Sequence, residues 1–379
     1  MSQELILANA RLILPNEIIT GSLCVRDGVI ADISSGAHMP KSAIDVQADF
    51  VAPGLIELHT DNLERHLMPR PKINWPHRAA IIAHDREMAG AGITTVFDAI
   101  RVGSRPSLNR RPKHARQIVD EIAVLRNADA LRISHQIHLR AELCSEMLQD
   151  ELDEFGPEDR IGIVSMMDHT PGQRQFKDLA RYKTFACGKH GLEESKFDAH
   201  VAFLQELQIT NATAHETATV AAARRFGATL ASHDDTTVAQ VANSHANGVT
   251  LAEFPTTLEA AEACHAVGIA TILGAPNIVR GASHSGNVAA VDLAQASRLD
   301  ILSSDYVPAS LLMAAVQIGA VWSDLPRGIA TVTANPARKV GLEDRGRLET
   351  GLRGDVIRFA LIEGTPVLKG TWYSGTLVA

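Results

Sequence analysis

Eight short apolar runs, separated by helical stretches, most strongly constrain how this chain can fold. They lie between about residues 51 and 336, and the segments between them are rich in alanine, leucine and charged residues. Continuous apolar strands are typical of a parallel sheet that is covered on both faces. The eight runs are Leu55–Leu58, Thr94–Phe97, Ile133–Leu139, Ile161–Met167, Thr229–Ala231, Val249–Ala252, Ala270–Leu273 and Leu299–Leu302.

This alternation predicts an α/β fold in which the strands close into a (β/α)8 TIM barrel over residues 53–343. Eight units over about 280 residues fit the usual size of such a barrel with insertions. The alternative is a doubly wound open sheet, which seldom needs eight regular units and usually carries a glycine-rich loop after its first strand. We therefore expect the barrel. Its predicted helices include 78–89, 115–126, 195–207, 214–225, 257–266 and 309–319.

The two ends of the chain, residues 1–52 and 344–379, have a different pattern. Each consists of short apolar segments separated by turn residues such as Asp27-Gly28, which is typical of antiparallel strands. Because both ends share this pattern, we expect them to form one small β-sandwich beside the barrel.

Composition and charge narrow the functional classes. The 379 residues are 45% hydrophobic and 21% charged, and no apolar stretch reaches the ~20 residues that span a bilayer. The net charge of −8 argues against a nucleic-acid partner, although a small anionic substrate remains compatible. An acidic residue at position 4 argues against a signal peptide, and the four cysteines lie far apart. We expect a cytoplasmic protein; the oligomeric state is open, and a homodimer is compatible with a barrel of this kind.

Polar residues follow every apolar run, at the strand ends where a barrel of this kind carries its catalytic side chains. Imidazole and carboxylate groups dominate, and these are ligands of zinc, manganese, iron and nickel. Alternation places His138, Arg140 and Glu142 on one face, so that one strand end offers both a ligand and an anion clamp. The strand-end residues are His59 with Asp61, Asp98, His138 with Arg140 and Glu142, Asp168 with His169, His233 with Asp234 and Asp235, Glu253, Asn277, and Asp305.

We interpret these strand ends as a metal site. His59, His169 and His233 are candidate ligands, and Asp305 is a candidate general base. We expect Asp98, Asp168 and Asp234 to orient histidines from behind. A metal held in this way would lower the pKa of bound water towards ~7. Zinc is the expected ion, with manganese, iron or nickel as alternatives, and one or two ions are both compatible.

Several segments resemble the amidohydrolase superfamily. They are APGL (52–55) before His59, GITT (92–95), TANPA (333–337) and GDV (354–356). The resemblance implies a distorted (β/α)8 barrel with a β-sandwich made from both termini.

Longer motifs are similar to one branch, the alpha-D-ribose 1-methylphosphonate 5-triphosphate diphosphatases of the carbon–phosphorus lyase pathway. This resemblance implies a metal-dependent hydrolase of phosphonate catabolism that converts the substrate's triphosphate into a 5-phosphate and pyrophosphate. The motifs are GLIELHTDNLERHLMPRP (54–71), HLRAEL (138–143), SMMDHTPGQRQF (165–176), ASHDD (231–235), AEFPTT (252–257), GAPNIVRGASHSGN (274–287) and ILSSDYVPASLL (301–312).

The same resemblance implies a ligand set. Two positions depart from the usual superfamily pattern, because the first strand carries His-x-Asp in place of His-x-His and no lysine follows the fourth strand. The implied metal ligands are His59, Asp61, Glu142, His169, His233 and Asp305.

A triphosphate that also carries a phosphonate requires cationic and hydrogen-bonding groups. We expect residues 171 to about 212, a long and basic connection, to form a lid over it. The alternative function is that of an amide or cyclic-amide hydrolase resembling a sugar-phosphate deacetylase, which needs fewer phosphate-binding arginines. A non-enzymatic scaffold is the third functional hypothesis. The predicted substrate-binding residues are Arg70, Arg140, Arg174, Lys177, Arg280, Ser283, His284 and Ser285.

Overall fold

The computed structural model describes residues 4–36, 39–71, 73–108, 114–190, 192–283 and 286–379. Within these residues, no helix is long and apolar enough to cross a membrane. The strands are β1 (Glu4–Ile13), β2 (Ile18–Arg26), β3 (Val29–Ser35), β4 (Ile44–Asp45), β5 (Phe50–Pro53), β6 (Leu55–Thr60), β7 (Ile93–Val102), β8 (Ser134–Glu142), β9 (Ile161–Met167), β10 (Thr229–His233), β11 (Leu251–Glu253), β12 (Ala270–Gly274), β13 (Ile301–Ser303), β14 (Val356–Ile362), β15 (Thr365–Tyr373) and β16 (Thr376–Leu377). The α-helices are α1 (Asn62–Leu67), α2 (His77–Gly90), α3 (Ala115–Asn127), α4 (Leu148–Leu152), α5 (Leu179–His190), α6 (Phe197–Phe226), α7 (Val238–Ala246), α8 (Leu258–Ala266), α9 (Ala275–Arg280), α10 (Ala290–Gln295), α11 (Ser310–Trp322), α12 (Leu325–Ala330) and α13 (Ala334–Lys339).

Eight parallel strands, β6 to β13, pair in chain order and form the wall of a barrel. The last strand returns to the first, because the backbone of Thr60 bridges that of Asp305 and the Ser303 hydroxyl donates to the carbonyl of His59. All eight predicted runs coincide with or overlap these strands. The prediction of an α/β barrel is therefore confirmed.

The barrel interior is filled by side chains below the polar strand ends, so that a ligand has room only at the mouth. Side chains alternate across each strand. On β8 the residues Ile137, Leu139 and Ala141 join the core between barrel and helices, and His138, Arg140 and Glu142 therefore face inward. The interior cluster includes Ile56, Leu58, Phe97, Ile163, Ala231, Leu251, Ile272 and Ile301.

The second sheet combines both ends of the chain, as predicted. Its order is β16-β15-β14-β5-β1-β2-β3, and β4 pairs with β1. Strand β5 joins the two termini, since it lies parallel to β1 and antiparallel to β14. Gly54 then leads directly into β6 at a close approach, because a Cβ at this residue would lie 2.3 Å from Thr94 Oγ1. The sheet is thus held tightly against the start of the barrel.

One predicted connection is different in the structure. The pattern predicts separate helices over 195–207 and 214–225, whereas the chain forms the single helix α6. The residues between the predicted helices include β-branched side chains of low helix propensity, but neither glycine nor proline. Asn211 Nδ2 in this stretch donates to the carbonyl of Ser145 at 3.0 Å. The helix is therefore continuous where it makes this tertiary contact. As a result, the predicted lid includes the first half of α6.

Candidate active site

Four histidine rings converge at the barrel mouth, carried by the carboxyl ends of different strands. The ring of His59 on β6 has its centroid 4.9 Å from that of His138 on β8 and 5.4 Å from that of His233 on β10. His169 lies just beyond β9, and its centroid is 5.9 Å from that of His233. His59, His138 and His233 are buried. The cluster is therefore largely shielded from bulk water.

Glu253, the last residue of β11, is the buried carboxylate that orients two of these rings. Its Oε1 lies 2.9 Å from His59 Nδ1, and its Oε2 lies 3.1 Å from His233 Nδ1. Ser165 Oγ also donates to Oε2, at 2.6 Å. An ionised carboxylate only accepts hydrogen bonds, so both rings carry a proton on Nδ1, and in the neutral ring Nε2 is then the nitrogen with a lone pair. Outer carboxylates orient metal-binding imidazoles in this way.

Burial and the Glu253 carboxylate together set the protonation of the rings. Burial opposes the charge on His59, but Glu253 outweighs it and raises the pKa of that ring. Burial lowers the pKa of His233 to about 3 and that of His138 to about 4. Burial alone would raise the pKa of Glu253, but the imidazoles of His59 and His138 hold it well below its usual value. His138 and His233 are therefore neutral at pH 7, as metal binding requires.

His138 provides the observation that tests whether this cluster suits a metal ion. Its Nδ1 donates to the carbonyl of Leu58 at 2.9 Å, while its buried Nε2 has no hydrogen-bond partner among the described residues and lies 3.6 Å from Glu253 Oε1. A buried polar atom without a partner is costly, and a cation would satisfy its lone pair. His59, His138 and Glu253 have ligand atoms within 4.8 Å of one another. These donors fit a divalent cation.

A second group of possible ligands, His169, His233 and Asp234, also has its atoms within 4.8 Å of one another. Glu142 lies behind His169 and accepts hydrogen bonds from its backbone nitrogen at 3.1 Å and from Nδ1 at 2.6 Å. A guanidinium nitrogen of Arg105 lies 3.3 Å from Glu142 Oε1. Burial raises the pKa of Asp234 to about 7. The two groups share one mouth, so the barrel carries donors for one or two ions.

The six predicted metal ligands do not all lie in these groups. The structure places three of them, His59, His169 and His233, in the two groups at the mouth. Asp61 instead forms an ion pair with Arg140. Burial opposes the charge of Asp61, but Arg140 and the other cations nearby hold the pKa of that carboxyl well below its usual range.

Asp305 is fixed by its backbone at the seam where the barrel closes. Its carbonyl accepts hydrogen bonds from Thr60 Oγ1 at 2.7 Å and from the Asp61 nitrogen at 2.9 Å. Its φ of 52° lies in the left-handed region, which aspartate tolerates better than most residues. Asp305 is partly buried. The candidate base is thus anchored beside the first strand of the barrel.

The predicted phosphate-binding residues fall into two sets. Arg140 is buried at the mouth, and Arg174 NH1 donates to the His233 carbonyl at 2.8 Å and to Asp235 Oδ1 at 2.7 Å. The others lie farther from the histidines in the chain: Arg70 and Lys177 on loops and Arg280 at the end of α9 are exposed, and Ser283 is partly buried. His284 and Ser285 lie outside the described residues.

The predicted lid is attached to the mouth at two places. Asp168, expected to orient a histidine, instead accepts hydrogen bonds from Thr170 Oγ1 at 2.6 Å and Gln173 Nε2 at 2.7 Å, and so holds the loop after β9. Further along, Arg181 of α5 lies against Gly286, where an added Cβ would be 1.8 Å from Arg181 NH1. The segment therefore reaches from the loop after β9 to the loop after β12.

Asp98 also differs from its predicted role, because it faces away from the mouth. Its neighbour Phe97 fills the barrel interior, so alternation turns Asp98 outward against α2. There Oδ1 accepts from His84 Nε2 at 2.8 Å and Oδ2 from His135 Nδ1 at 2.7 Å. Burial opposes the charge of His135, but Asp98 and Asp85 on either side raise its pKa to about 9. This outer cluster is a buried, internally paired charge network.

Several residues around the histidines have roles that the sequence does not predict. Glu253 and His138 were recognised as strand-end residues, but not as the carboxylate that orients two rings and the ring with the orphaned nitrogen. Arg105 was not singled out, because nothing in its local sequence distinguishes it from a surface arginine. Only the fold brings it beside Glu142.

A protein with an assigned activity is similar to this chain over most of its length. A protein of Escherichia coli strain K12, an alpha-D-ribose 1-methylphosphonate 5-triphosphate diphosphatase, is 40% identical over 356 residues, which cover 93% of this chain and 94% of the relative. No family model matches the chain.

Solved structures that are about 15% identical to the chain show the same fold. A 5-methylcytosine deaminase from Klebsiella pneumoniae superposes with a TM-score of 0.65 at 15% identity, covering 99% of this chain and 98% of that one. An N-isopropylammelide isopropylaminohydrolase from Burkholderia multivorans gives a TM-score of 0.63, with the same identity and the same coverage of both chains. The 40% identity over nearly the whole chain shows that it belongs to the alpha-D-ribose 1-methylphosphonate 5-triphosphate diphosphatase family.

Proposed function

We propose that this enzyme is a metal-dependent diphosphatase acting on alpha-D-ribose 1-methylphosphonate 5-triphosphate. The products are alpha-D-ribose 1-methylphosphonate 5-phosphate and pyrophosphate. The 40% identity to the Escherichia coli diphosphatase, which extends over 93% of the chain, carries this proposal. The imidazoles, carboxylates and arginines at the barrel mouth support it, because they match the chemistry of breaking a phosphoanhydride.

Zinc is the metal that we propose, since the site offers nitrogen and carboxylate donors. The imidazoles of His59, His138, His169 and His233 would hold it, and the family resemblance keeps Glu142 and Asp305 as predicted ligands. When bound, the ion supplies a water of lowered pKa and positive charge next to the reacting phosphate.

The chain's own residues account for the proton and the charge. The Asp305 carboxylate takes the proton of the water that adds to phosphorus. Water adds to the first phosphorus of the triphosphate, the anhydride bond between the first and second phosphates breaks, and pyrophosphate leaves with the electron pair of that bond. Arg140 at the mouth neutralises negative charge as it shifts to pyrophosphate, which is the largest requirement of phosphoryl transfer.

We also propose that residues 171 to about 212 cover the triphosphate. The exposed side chains of Lys177 and Arg181 lie on this segment, and Arg181 already contacts the loop after β12. Lys177→Ala and Arg181→Ala should each raise KM for the substrate and leave the metal content unchanged. An unchanged KM in both variants would reject the lid.

We also expect the enzyme to be cytoplasmic. All four cysteines are unpaired, which agrees with a reducing cytoplasm. The expected partner is a small polyanionic phosphonate, and a homodimer is compatible with this function.

Phosphorus NMR of the products tests the proposed reaction. The zinc-loaded enzyme and the ribosyl 5-triphosphate should give equimolar pyrophosphate and 5-phosphate with no orthophosphate. Asp305→Asn is the matched variant, which should fold and release pyrophosphate far more slowly. If no phosphorus product forms but acetate or ammonia is released from amide substrates, the amide hydrolase alternative replaces this function.

A further inference from the structure

We propose that Asp61 is a positioning residue whose carboxylate holds the Arg140 guanidinium at the barrel mouth as a binding group for the triphosphate, and that Asp61 is not a metal ligand. The inference rests on the proposed function for the identity of the anion. It assigns the aspartate of the His-x-Asp pair a role different from that of the histidine it replaces.

The surroundings of Asp61 carry the first part of the inference. Its side chain is ion-paired with Arg140, which is buried. The Asp61 backbone nitrogen donates to the Asp305 carbonyl at 2.9 Å, so the carboxylate projects from a fixed point at the barrel seam. Among the residues that the structure describes, Asp61 belongs to none of the three groups whose donor atoms are close enough to share a cation.

The position of Arg140 carries the second part. It lies between His138 and Glu142 on the inward face of β8, so a guanidinium stands between two candidate metal-binding positions on the same strand. Its Nε donates to Met167 Sδ at 3.2 Å and its NH1 is paired with the Asp61 carboxylate, so that contacts on two sides fix the planar group. Burial opposes the charge of Arg140, but Asp61 and the acidic residues Glu64 and Asp305 raise its pKa, so it remains a cation throughout the working range.

A fixed guanidinium suits this substrate. Arginine presents donors in a planar fork that matches phosphate oxygens, and holding the fork in place reduces the entropy lost on binding. The guanidinium thereby adds a positive charge that the protein itself supplies beside the metal. Losing charge-assisted hydrogen bonds of this kind typically weakens binding about 10- to 100-fold.

Metal content and anion affinity, measured without turnover, test the inference. Zinc per chain is determined by mass spectrometry, and inorganic tripolyphosphate binding by calorimetry at about 0.3 M KCl, where long-range charge effects are screened. The variants are Asp61→Asn, Arg140→Met, Arg140→Lys and the double variant Asp61→Asn/Arg140→Met. Asp61→Glu tests rescue by a carboxylate. His233→Ala is the control for a lost metal ligand.

We expect Asp61→Asn to keep the zinc content of the wild type and to bind tripolyphosphate about 10- to 100-fold more weakly. The double variant should be no weaker than Arg140→Met, because Asp61 acts through Arg140. Arg140→Lys should also bind weakly although its charge is kept. Asp61→Glu should recover part of the affinity. Asp153→Asn, which breaks an exposed ion pair with Arg225, should match the wild type in both measurements.

Three results would overturn the inference. The first is a loss of zinc in Asp61→Asn comparable to that in His233→Ala. The second is unchanged tripolyphosphate affinity in Asp61→Asn, and the third is a wild type that does not bind tripolyphosphate. A wild type that binds tripolyphosphate but releases no pyrophosphate from the ribosyl triphosphate contradicts the proposed function alone.

Discussion

Glu253→Gln should greatly weaken zinc binding while the barrel stays folded. The substitution keeps the side chain's size but replaces one carboxylate oxygen by an amide group. The amide oxygen still accepts from one ring, but the NH2 group now faces the Nδ1 of the other. Either His59 or His233 must therefore move its proton to Nε2, the nitrogen that would bind the metal, or lose its hydrogen bond.

The two contacts of Glu253 set the size of the effect. Its oxygens lie 2.9 Å from His59 Nδ1 and 3.1 Å from His233 Nδ1, so a single change disturbs two rings. Loss of an outer carboxylate partner typically weakens metal affinity about 10- to 100-fold per ligand. Acting on two ligands, the change should weaken zinc binding about 100- to 10,000-fold, or about 3–5 kcal/mol.

Zinc affinity is measured by competition with a chromophoric chelator, and circular dichroism confirms that the variant is folded. Ser165→Ala is the matched control, because it removes a neutral donor to Glu253 and keeps the carboxylate and both imidazole contacts. We expect its zinc affinity to fall by less than about tenfold. A folded Glu253→Gln variant that binds zinc within about threefold of the wild type would refute the role of this carboxylate.

The remaining predictions concern stability and catalysis. Pairing raises the pKa of His135 to about 9, so its stabilising contribution should be complete below about pH 6.5 and lost as the pH rises through 9. Denaturant unfolding should show that the wild type has a larger free energy of unfolding than His135→Asn, and that this difference narrows by about 3 kcal/mol over that range. A difference that does not change with pH contradicts the pairing. Asp305→Asn should stay folded and lower kcat about 100- to 10,000-fold, and near-normal turnover rejects it as the base. Gly54→Ala should lower the free energy of unfolding by about 1–3 kcal/mol because its Cβ would lie 2.3 Å from Thr94 Oγ1; a variant as stable as the wild type in thermal melts contradicts this reason.

The sequence was sufficient for the architecture because the strands of a parallel barrel are buried on both faces. Runs such as Ile161–Met167 are therefore nearly continuously apolar and visible without a structure. The paired termini were visible for a different reason, since both ends carry short apolar segments separated by turns. The single helix α6 was not predicted, because contacts such as that of Asn211 with Ser145 are not visible in the local sequence.

The site was only partly predictable, since strand ends show which residues reach the mouth but not which atoms meet. His59, His169 and His233 converge as expected. Asp98 points outward from β7, away from the mouth, and its carboxylate accepts hydrogen bonds from His84 and His135. Because side chains alternate along β7, the inward orientation of Phe97 implies that Asp98 points outward. This inference requires a structure in which Phe97 is seen to face the interior.

The most direct test of the site is zinc-edge anomalous diffraction from crystals of the zinc-loaded enzyme. We predict anomalous density at the barrel mouth, at about 2.0–2.1 Å from Nε2 of His169 and His233. Density at the outer cluster of His84, Asp98 and His135, with none at the mouth, would contradict the assignment of the inward-facing histidines to the metal.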